Sequence, residues 1–308
     1  MYLPPGAYGL SSIVYELVGN SIDEFLRGNA SEVQVRFEEG AVEVFDDGLG
    51  LPFDEPSEGA ASRVEDFLTT PHFTRSASGH APHVHLEQRG VGLAVINALS
   101  AEVEITSVRS GKAWQQVFRQ GSAVGTAKNI NAPFQRGTRV RVVVDREIFE
   151  DRFQFDTRAI RAKLFEAAHL FPGLVLGTDS ERFRSENGLG DLAAMRSSYK
   201  PFGSSIDAFN ADVEDVQIQF AAIRPLGQSD PSCEILSWAN GSRTTEHGDH
   251  VSGVRDIVAE QGWWPSTILI HVVMQSPEFA GPTRGRLNAP HVRDLVARAI
   301  RKHMAETS

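Results

Sequence analysis

Glu16 and Asn20 stand four residues apart, so on a helix they stack on one face, and Asp23 and Glu24 carry that polar face one turn further. A carboxylate there can orient or deprotonate a water, while a neutral side-chain oxygen can ligate Mg2+ beside phosphates. The same pair is also what the wet side of any amphipathic helix carries. Further along, Asp46-Asp47-Gly48-Leu49-Gly50 sets an acceptor at the end of a strand-like run. Its glycines let backbone approach a ligand closely, and an aspartate there can accept from an exocyclic amine such as adenine's. Standing alone, it is equally an ordinary turn. Gly90-Val91-Gly92 opens an apolar helical run, offering backbone N–H groups and a positive dipole end to phosphate.

These residues need elements to position them. Ile13, Val14, Leu17, Val18, Ile22, Phe25 and Leu26 recur at three- and four-residue spacing, which predicts a helix from Gly9 to Gly28. Val33, Val35 and Phe37, then Val42 and Val44, alternate around Glu38-Glu39-Gly40 and predict a β-hairpin ending at Asp46. Residues 53–89 lose periodicity, apart from a helix around Val64 to Leu68, and read as a long loop of the kind kept for function. A helix over Leu93 to Leu99 and strands at 102–108, 114–120 and 139–144 complete a mixed α/β domain over residues 1–150. Residues 151–308 read as a smaller α/β domain. It comprises a helix from Asp156 to Phe171, strands at 216–223, 235–238 and 267–273, a helix near Asp249 to Glu260 and a terminal helix from Pro290. The weakly patterned stretch from Ser180 to Ser205 reads as a connection.

Composition excludes several classes. With 308 residues and 41% hydrophobic content, the chain is an ordinary globular protein long enough for two domains. A net charge of −10 argues against coating nucleic acid directly, because phosphate neutralisation needs clustered Lys and Arg. Cys233 is the sole cysteine, which excludes an internal disulfide and favours a reducing, cytoplasmic setting. No membrane-spanning apolar run is present. His72, His80, His83 and His85 read as part of a polar lid rather than a metal site, and Trp263-Trp264 as a turn packed on the core.

The joint order of the motifs resembles the GHKL (Bergerat) ATPase superfamily, in particular the ATPase and transducer region of bacterial type IIA topoisomerases, gyrase B and ParE. The segments that carry the resemblance are Tyr15-Glu-Leu-Val-Gly-Asn20-Ser-Ile-Asp-Glu24, Val44-Phe-Asp-Asp-Gly-Leu-Gly-Leu-Pro52, Arg89 to Ser100, Val108-Arg-Ser-Gly-Lys112, Glu246 to Gly253 and Pro277 to Leu287. The resemblance implies an α+β sandwich that binds ATP and Mg2+, followed by a transducer-like α/β domain. It implies Glu16 as general base, Asn20 as Mg2+ ligand, Asp46 and Thr138 as adenine contacts, and Gly48, Gly50, Gly90, Val91 and Gly92 around the nucleotide. Arg109 falls at the pocket mouth, and Arg284 reaches the γ-phosphate.

The family pattern is also broken. The family histidine before the general base is Ser12, the arginine inside the glycine turn is Leu49, leaving Glu24 without its usual ion-pair partner, and Glu87 stands in the phosphate loop. The sensor lysine is Arg284. Met1-Tyr2-Leu3 aligns with an internal family segment, which implies a missing arm and a weaker ATP-dependent homodimer. The chain ends soon after the sensor segment, which implies a separate DNA-cleaving topoisomerase subunit as partner, with DNA met only through partners. Two readings follow: an ATPase module that gates a dimer clamp, or a stand-alone gyrase B-like binding protein with little turnover.

Overall fold

The computed structural model describes residues 7–54, 62–70, 83–87, 92–149, 154–198, 203–226, 233–262, 265–281 and 283–307. By its internal contacts the chain divides into two units: residues 1–81, 90–165 and 174–183, and residues 82–89, 166–173 and 184–308. Phe165 and the hairpin at 174–183 thus stay with the first unit, past residue 150, and the end of the long loop lies with the second.

The first helix, α1 (Ala7–Leu26), buries Ile13, Val14, Leu17, Val18 and Ile22 of the stripe its spacing predicts, and Leu10 besides, while Phe25 and Leu26 at its end are half-buried. It stops at Gly28, whose φ of 76° suits a residue without a Cβ. Strands β1 (Glu32–Glu38) and β2 (Ala41–Asp46) form the hairpin, with Val35 opposite Val44. After α2 (Arg63–Thr69) and α3 (Leu93–Ala98) come β3 (Ser100–Arg109), β4 (Lys112–Arg119), β5 (Ser122–Ala123), β6 (Lys128–Asn129) and β7 (Gly137–Val144). Next are α4 (Arg146–Phe149), α5 (Thr157–Leu170), β8 (Val175–Thr178) and β9 (Arg182–Phe183). The sheet order is β5-β4-β3-β7-β2-β1-β8-β9, with β6 against β4. One face carries Val33, Val35, Val42, Val44, Val103, Ile105 and Val142 inward, and α1 packs over β1 and β2. The other face is wet and charged, with Arg141 on Glu38 at 2.6 Å and Arg119 on Glu102 at 2.9 Å.

The placement of β7 decides the site. It enters between β2 and β3, so Thr138 lies opposite Asp46 on one side and Ser107 on the other. Residues far apart in sequence are brought into one row across three strands.

The second unit contains α6 (Leu189–Ser197), β10 (Ser204–Val213), β11 (Val216–Pro225), β12 (Glu234–Ala239), β13 (Ser242–Arg243), α7 (Asp249–Gln261), β14 (Thr267–Met274) and α8 (Pro290–Thr307). Its sheet runs β10-β11-β14-β12-β13, and α7 and α8 bury Val251, Val254, Ile257, Val292, Val296 and Ile300 against Ile218, Phe220, Ile270 and Val272. Two elements, β9 and α6, stand within the stretch that reads as a connection, and β10 begins at its end. The strand β9 is two residues long, α6 begins on Gly188 at φ 60° and is short, and β10 is an edge strand half-buried along most of its length, so none shows a clean period. Trp263 and Trp264 lie outside the described residues, as do His72 and His80. Among the described residues no helix is long and apolar enough to cross a membrane.

Residues 83–87 are held on this unit by His85 N–H to the Asn240 carbonyl at 3.0 Å and by Asn240 Nδ2 to the His83 carbonyl at 3.2 Å. In the same unit His271 on β14 and His250 in the first turn of α7 are fully buried. Burial first, and for His250 the neighbouring His247 and His271, press both imidazoles from 6.5 down to about 3. A depressed folded pKa gives stability that is complete above the unfolded value of 6.5 and lost as pH falls toward the folded value of about 3. Ring resonances of His250 and His271 are therefore expected to stay neutral at pH 5 while urea stability declines below pH 6.5. Rings that titrate near 6.5 in the folded protein would contradict this burial.

Candidate nucleotide site

The helix α1 brings Glu16, Asn20, Ser21, Asp23 and Glu24 together. Glu16, Ser21 and Asp23 are buried, while Asn20 and Glu24 are half-buried. Glu24, expected to lack its ion-pair partner because Leu49 replaces arginine, finds one locally. Arg27 Nη1 donates to it at 2.6 Å and Asn29 Nδ2 at 3.1 Å, while Leu49 is 42% exposed and takes no part. The helix end itself supplies the missing cation.

The turn after β2 is built around two adjacent carboxylates with different surroundings. Asp47 accepts from the Ser31 amide at 2.7 Å and the Glu32 amide at 2.9 Å. Partial burial opposes its ionisation, but these bonds and the Ser31 hydroxyl outweigh that and hold the carboxyl below 3.8. Asp46 is buried, and desolvation pushes it from 3.8 up to about 6; Ser21 and Gly48 partly offset this, Glu24 adds to it, and the Thr138 amide again offsets it. The Ser21 hydroxyl donates to Asp46 Oδ2 at 2.9 Å and the Gly48 amide to Oδ1 at 3.0 Å. Neighbouring carboxyls driven apart in this way have separate tasks: Asp47 staples the turn to β1, and Asp46 is held in the interior as an acceptor.

The glycines are required by close approach. A Cβ on Gly137, at φ 123°, would lie 2.0 Å from the Asp46 carbonyl oxygen. One on Gly50 would lie 2.6 Å from the Val108 carbonyl oxygen, and one on Gly48 would lie 2.7 Å from Asp46 Oδ1. Arg109 Nη1 donates to the Gly50 carbonyl at 3.0 Å, which ties β3 to the turn. Arg136 bonds the carbonyls of Asp47 and Asn29 at 2.9 and 2.8 Å. The turn is thus fixed from three sides by the protein's own groups.

Glu16, Asn20, Asp46, Gly48, Gly50, Arg109 and Thr138 are all borne by the first unit. Gly92 caps α3 at φ 75°, whereas Gly90 and Val91 lie outside the described residues. Arg284 belongs to the second unit, where it stands at φ 52° and, after burial, its charge helps hold His85 far below 6.5. The segment from Glu246 to Gly253 has a packing task there. A Cβ on Gly248 would meet the Leu287 carbonyl oxygen at 2.2 Å, and one on Gly253 the Arg293 carbonyl oxygen at 2.3 Å. Sequence reasoning missed Ser21, Ser31 and Arg136, whose partners in the turn lie far away in sequence.

The donor set suits an adenine nucleotide with Mg2+. A buried carboxylate with fixed orientation offers lone pairs to an exocyclic amine, and Asn20 supplies a hard neutral oxygen one turn from a carboxylate.

Comparison with known proteins agrees with this chemistry. Residues 7–148 match the family described as histidine kinase-, DNA gyrase B-, and HSP90-like ATPases. The chloroplastic/mitochondrial gyrase B of Oryza sativa subsp. japonica is 28% identical over 352 residues, covering 98% of this chain and 46% of the relative. The gyrase B of Synechocystis sp. is 28% identical over 334 residues, covering 98% of this chain and 31% of the relative. This chain therefore spans less than half the length of these curated relatives. The crystal structure of the ATPase domain of Thermus thermophilus gyrase B in complex with an aminocoumarin superposes with a TM-score of 0.79 at 26% identity, covering 100% of this chain and 88% of that one. The two-sheet α/β fold, the buried acceptor at the end of β2 and these likenesses agree: residues 7–148 form a domain of the histidine kinase-, DNA gyrase B- and HSP90-like ATPase family, and the chain as a whole is similar to the ATPase region of type IIA topoisomerases.

Proposed function

We propose that this chain binds ATP with Mg2+ and hydrolyses it, serving as the ATPase module of a gyrase B-like type IIA topoisomerase that closes and opens a homodimeric clamp. The observation that carries the reading is the Asp46 carboxylate, buried at the end of β2 and fixed by Ser21 and Gly48 in a turn whose glycines clear space against β3 and β7. Residues 1–150 form the nucleotide-binding domain in this reading, and 151–308 a transducer-like domain. DNA cleavage belongs to a separate partner protein, and DNA is met through that partner.

Within the site, Asp46 and the strand-paired Thr138 hold the adenine, with Gly48 and Gly50 beside it and Arg109 at the mouth. Gly90, Val91 and Gly92 give backbone amides to the phosphates. Mg2+, if held here, would supply neutralisation of the phosphate charge. Asn20 holds that ion, Glu16 takes the proton from the attacking water, and Arg284 presents its cation to the γ-phosphate.

Two outcomes test this. Glu16→Ala is expected to lower Mg2+-dependent ATP hydrolysis by about 10²–10⁴-fold, the usual worth of a general base, while calorimetry still detects nucleotide binding. Binding without turnover in the wild type would favour a stand-alone binding protein instead, and no binding would defeat both readings. Asp46→Asn is expected to weaken ATP binding by tenfold or more, on the order of one charge-assisted hydrogen bond. Its effect on stability has the opposite sign at high pH. The raised pKa of Asp46 gives stability that is complete below 3.8 and lost as pH rises through about 6. Asp46→Asn does not titrate, so relative to wild type it is expected to be more stable in urea at pH 7.5 than at pH 4, and equal differences at both pH values would contradict the burial.

A further inference from the structure

We propose that His247 is a positioning residue that holds Arg284 in place for the terminal phosphate of the nucleotide. The inference rests on the nucleotide-site reading, in which Arg284 presents its cation to the γ-phosphate, and gives a task to an imidazole that the reading leaves unused.

His247 lies in the turn between β13 and α7 at φ 63°, a left-handed conformation that glycine adopts freely and other residues seldom. This turn grips the segment that follows Arg284. The Glu246 amide donates to the Gly285 carbonyl at 2.8 Å, the Leu287 amide to the His247 carbonyl at 2.9 Å, and the Asp249 amide to the Leu287 carbonyl at 3.2 Å. On the other side of the segment, the Ala280 amide donates to the Arg286 carbonyl at 2.9 Å and the Asn288 amide to the Glu278 carbonyl at 2.8 Å. Residues 285–288 are therefore clasped from two sides, with Leu287 bridged both to Gly248 and to Phe279. Arg284, itself at φ 52°, leads directly into the clasp.

The turn is hung on β12 at both ends, and each time on Ser237. At its start the Thr244 amide donates to the Ser237 carbonyl at 2.9 Å. At its end His247 Nδ1 lies 2.9 Å from the buried Ser237 hydroxyl, which also has the Thr244 carbonyl at 3.0 Å. Ser237 has one proton. It either donates to a bare Nδ1, or donates to the carbonyl and accepts from Nδ1–H, so the contact is a hydrogen bond in both forms of the ring. Glycine at 247 would adopt φ 63° with less strain and yet release the end of the turn. Asparagine also tolerates this φ, and its Oδ1 stands where the imidazole has Nδ1. The two substitutions thus separate backbone strain from anchoring. Releasing the turn slackens the clasp and lets Arg284 wander, a loss that falls on nucleotides with a γ-phosphate and spares those without one.

The test compares wild type, His247→Gly, His247→Asn, Ser237→Ala, Arg284→Ala and the double variant His247→Gly/Arg284→Ala. Each is titrated calorimetrically with ADP and with a non-hydrolysable ATP analogue, in Mg2+ at pH 7.5. Arg284→Ala is expected to lower the analogue-to-ADP affinity ratio by roughly tenfold, the worth of one hydrogen bond to a charged group. His247→Gly and Ser237→Ala are each expected to lower it by about threefold or more with ADP affinity unchanged, and His247→Asn to keep it. In the double variant the His247 change is expected to add nothing, because its effect runs through Arg284. A merely structural role would weaken both nucleotides, and would do so with or without Arg284. Wild-type ratios in His247→Gly and Ser237→Ala, beside a lowered ratio in Arg284→Ala, would overturn the role of His247 alone. If Arg284→Ala leaves the ratio unchanged, or wild type binds neither nucleotide, the reading of the site fails and the positioning role falls with it.

Discussion

A carboxylate taken out of water must be given donors or a proton, and Asp46 is held between those outcomes. It ends β2 inside the first unit with one oxygen on the Gly48 amide and the other on the Ser21 hydroxyl, and its pKa is displaced to about 6. Much of the local architecture serves that balance. The helix α1 must run close enough to β2 for Ser21 to reach, β7 must enter beside β2 so that Thr138 lies opposite, and Gly48 must lack a Cβ because one would sit 2.7 Å from the carboxylate.

The turn around it is tied down by the chain's own groups. Asp47 is bonded to the start of β1, Arg136 clamps the turn to the loop after α1, and Arg109 bonds the Gly50 carbonyl from β3. Such pre-fixed geometry lowers the ordering cost on binding. Departures from the family pattern are absorbed in the same way, as when Arg27 and Asn29 take the place that Leu49 vacates beside Glu24. What the neighbours of Glu16 do for turnover is a separate matter from what holds Asp46, and the two are separable by experiment.

Much of this was legible in the sequence wherever one face of an element was buried. The stripe Ile13 to Leu26 predicted α1, the alternation of Val33 to Val44 predicted the hairpin, and Asp46 stood out because it ends that alternation. The segments that escaped reading have weak periods for physical reasons: α6 is short and starts from glycine, and β8 is four residues that gain stability by pairing parallel with β1. Ser21 escaped because its partner is twenty-five residues away, and a lone helical serine carries no period. The Asp46-Thr138-Ser107 row depends on strand order, which no local pattern encodes. Arg109 was visible as a cation near the site, but that it serves the Gly50 carbonyl was not.

The central claim is that the buried Asp46 carboxylate is the base-recognising acceptor of a nucleotide site. It is tested most directly by the carboxyl NMR titration of Asp46 with and without a saturating non-hydrolysable ATP analogue and Mg2+. The account predicts a midpoint near 6 in the free protein. It also predicts a clear downward shift on binding, because an exocyclic amine donating to the carboxylate favours its ionised form. A midpoint that stays in place while the analogue binds would contradict it.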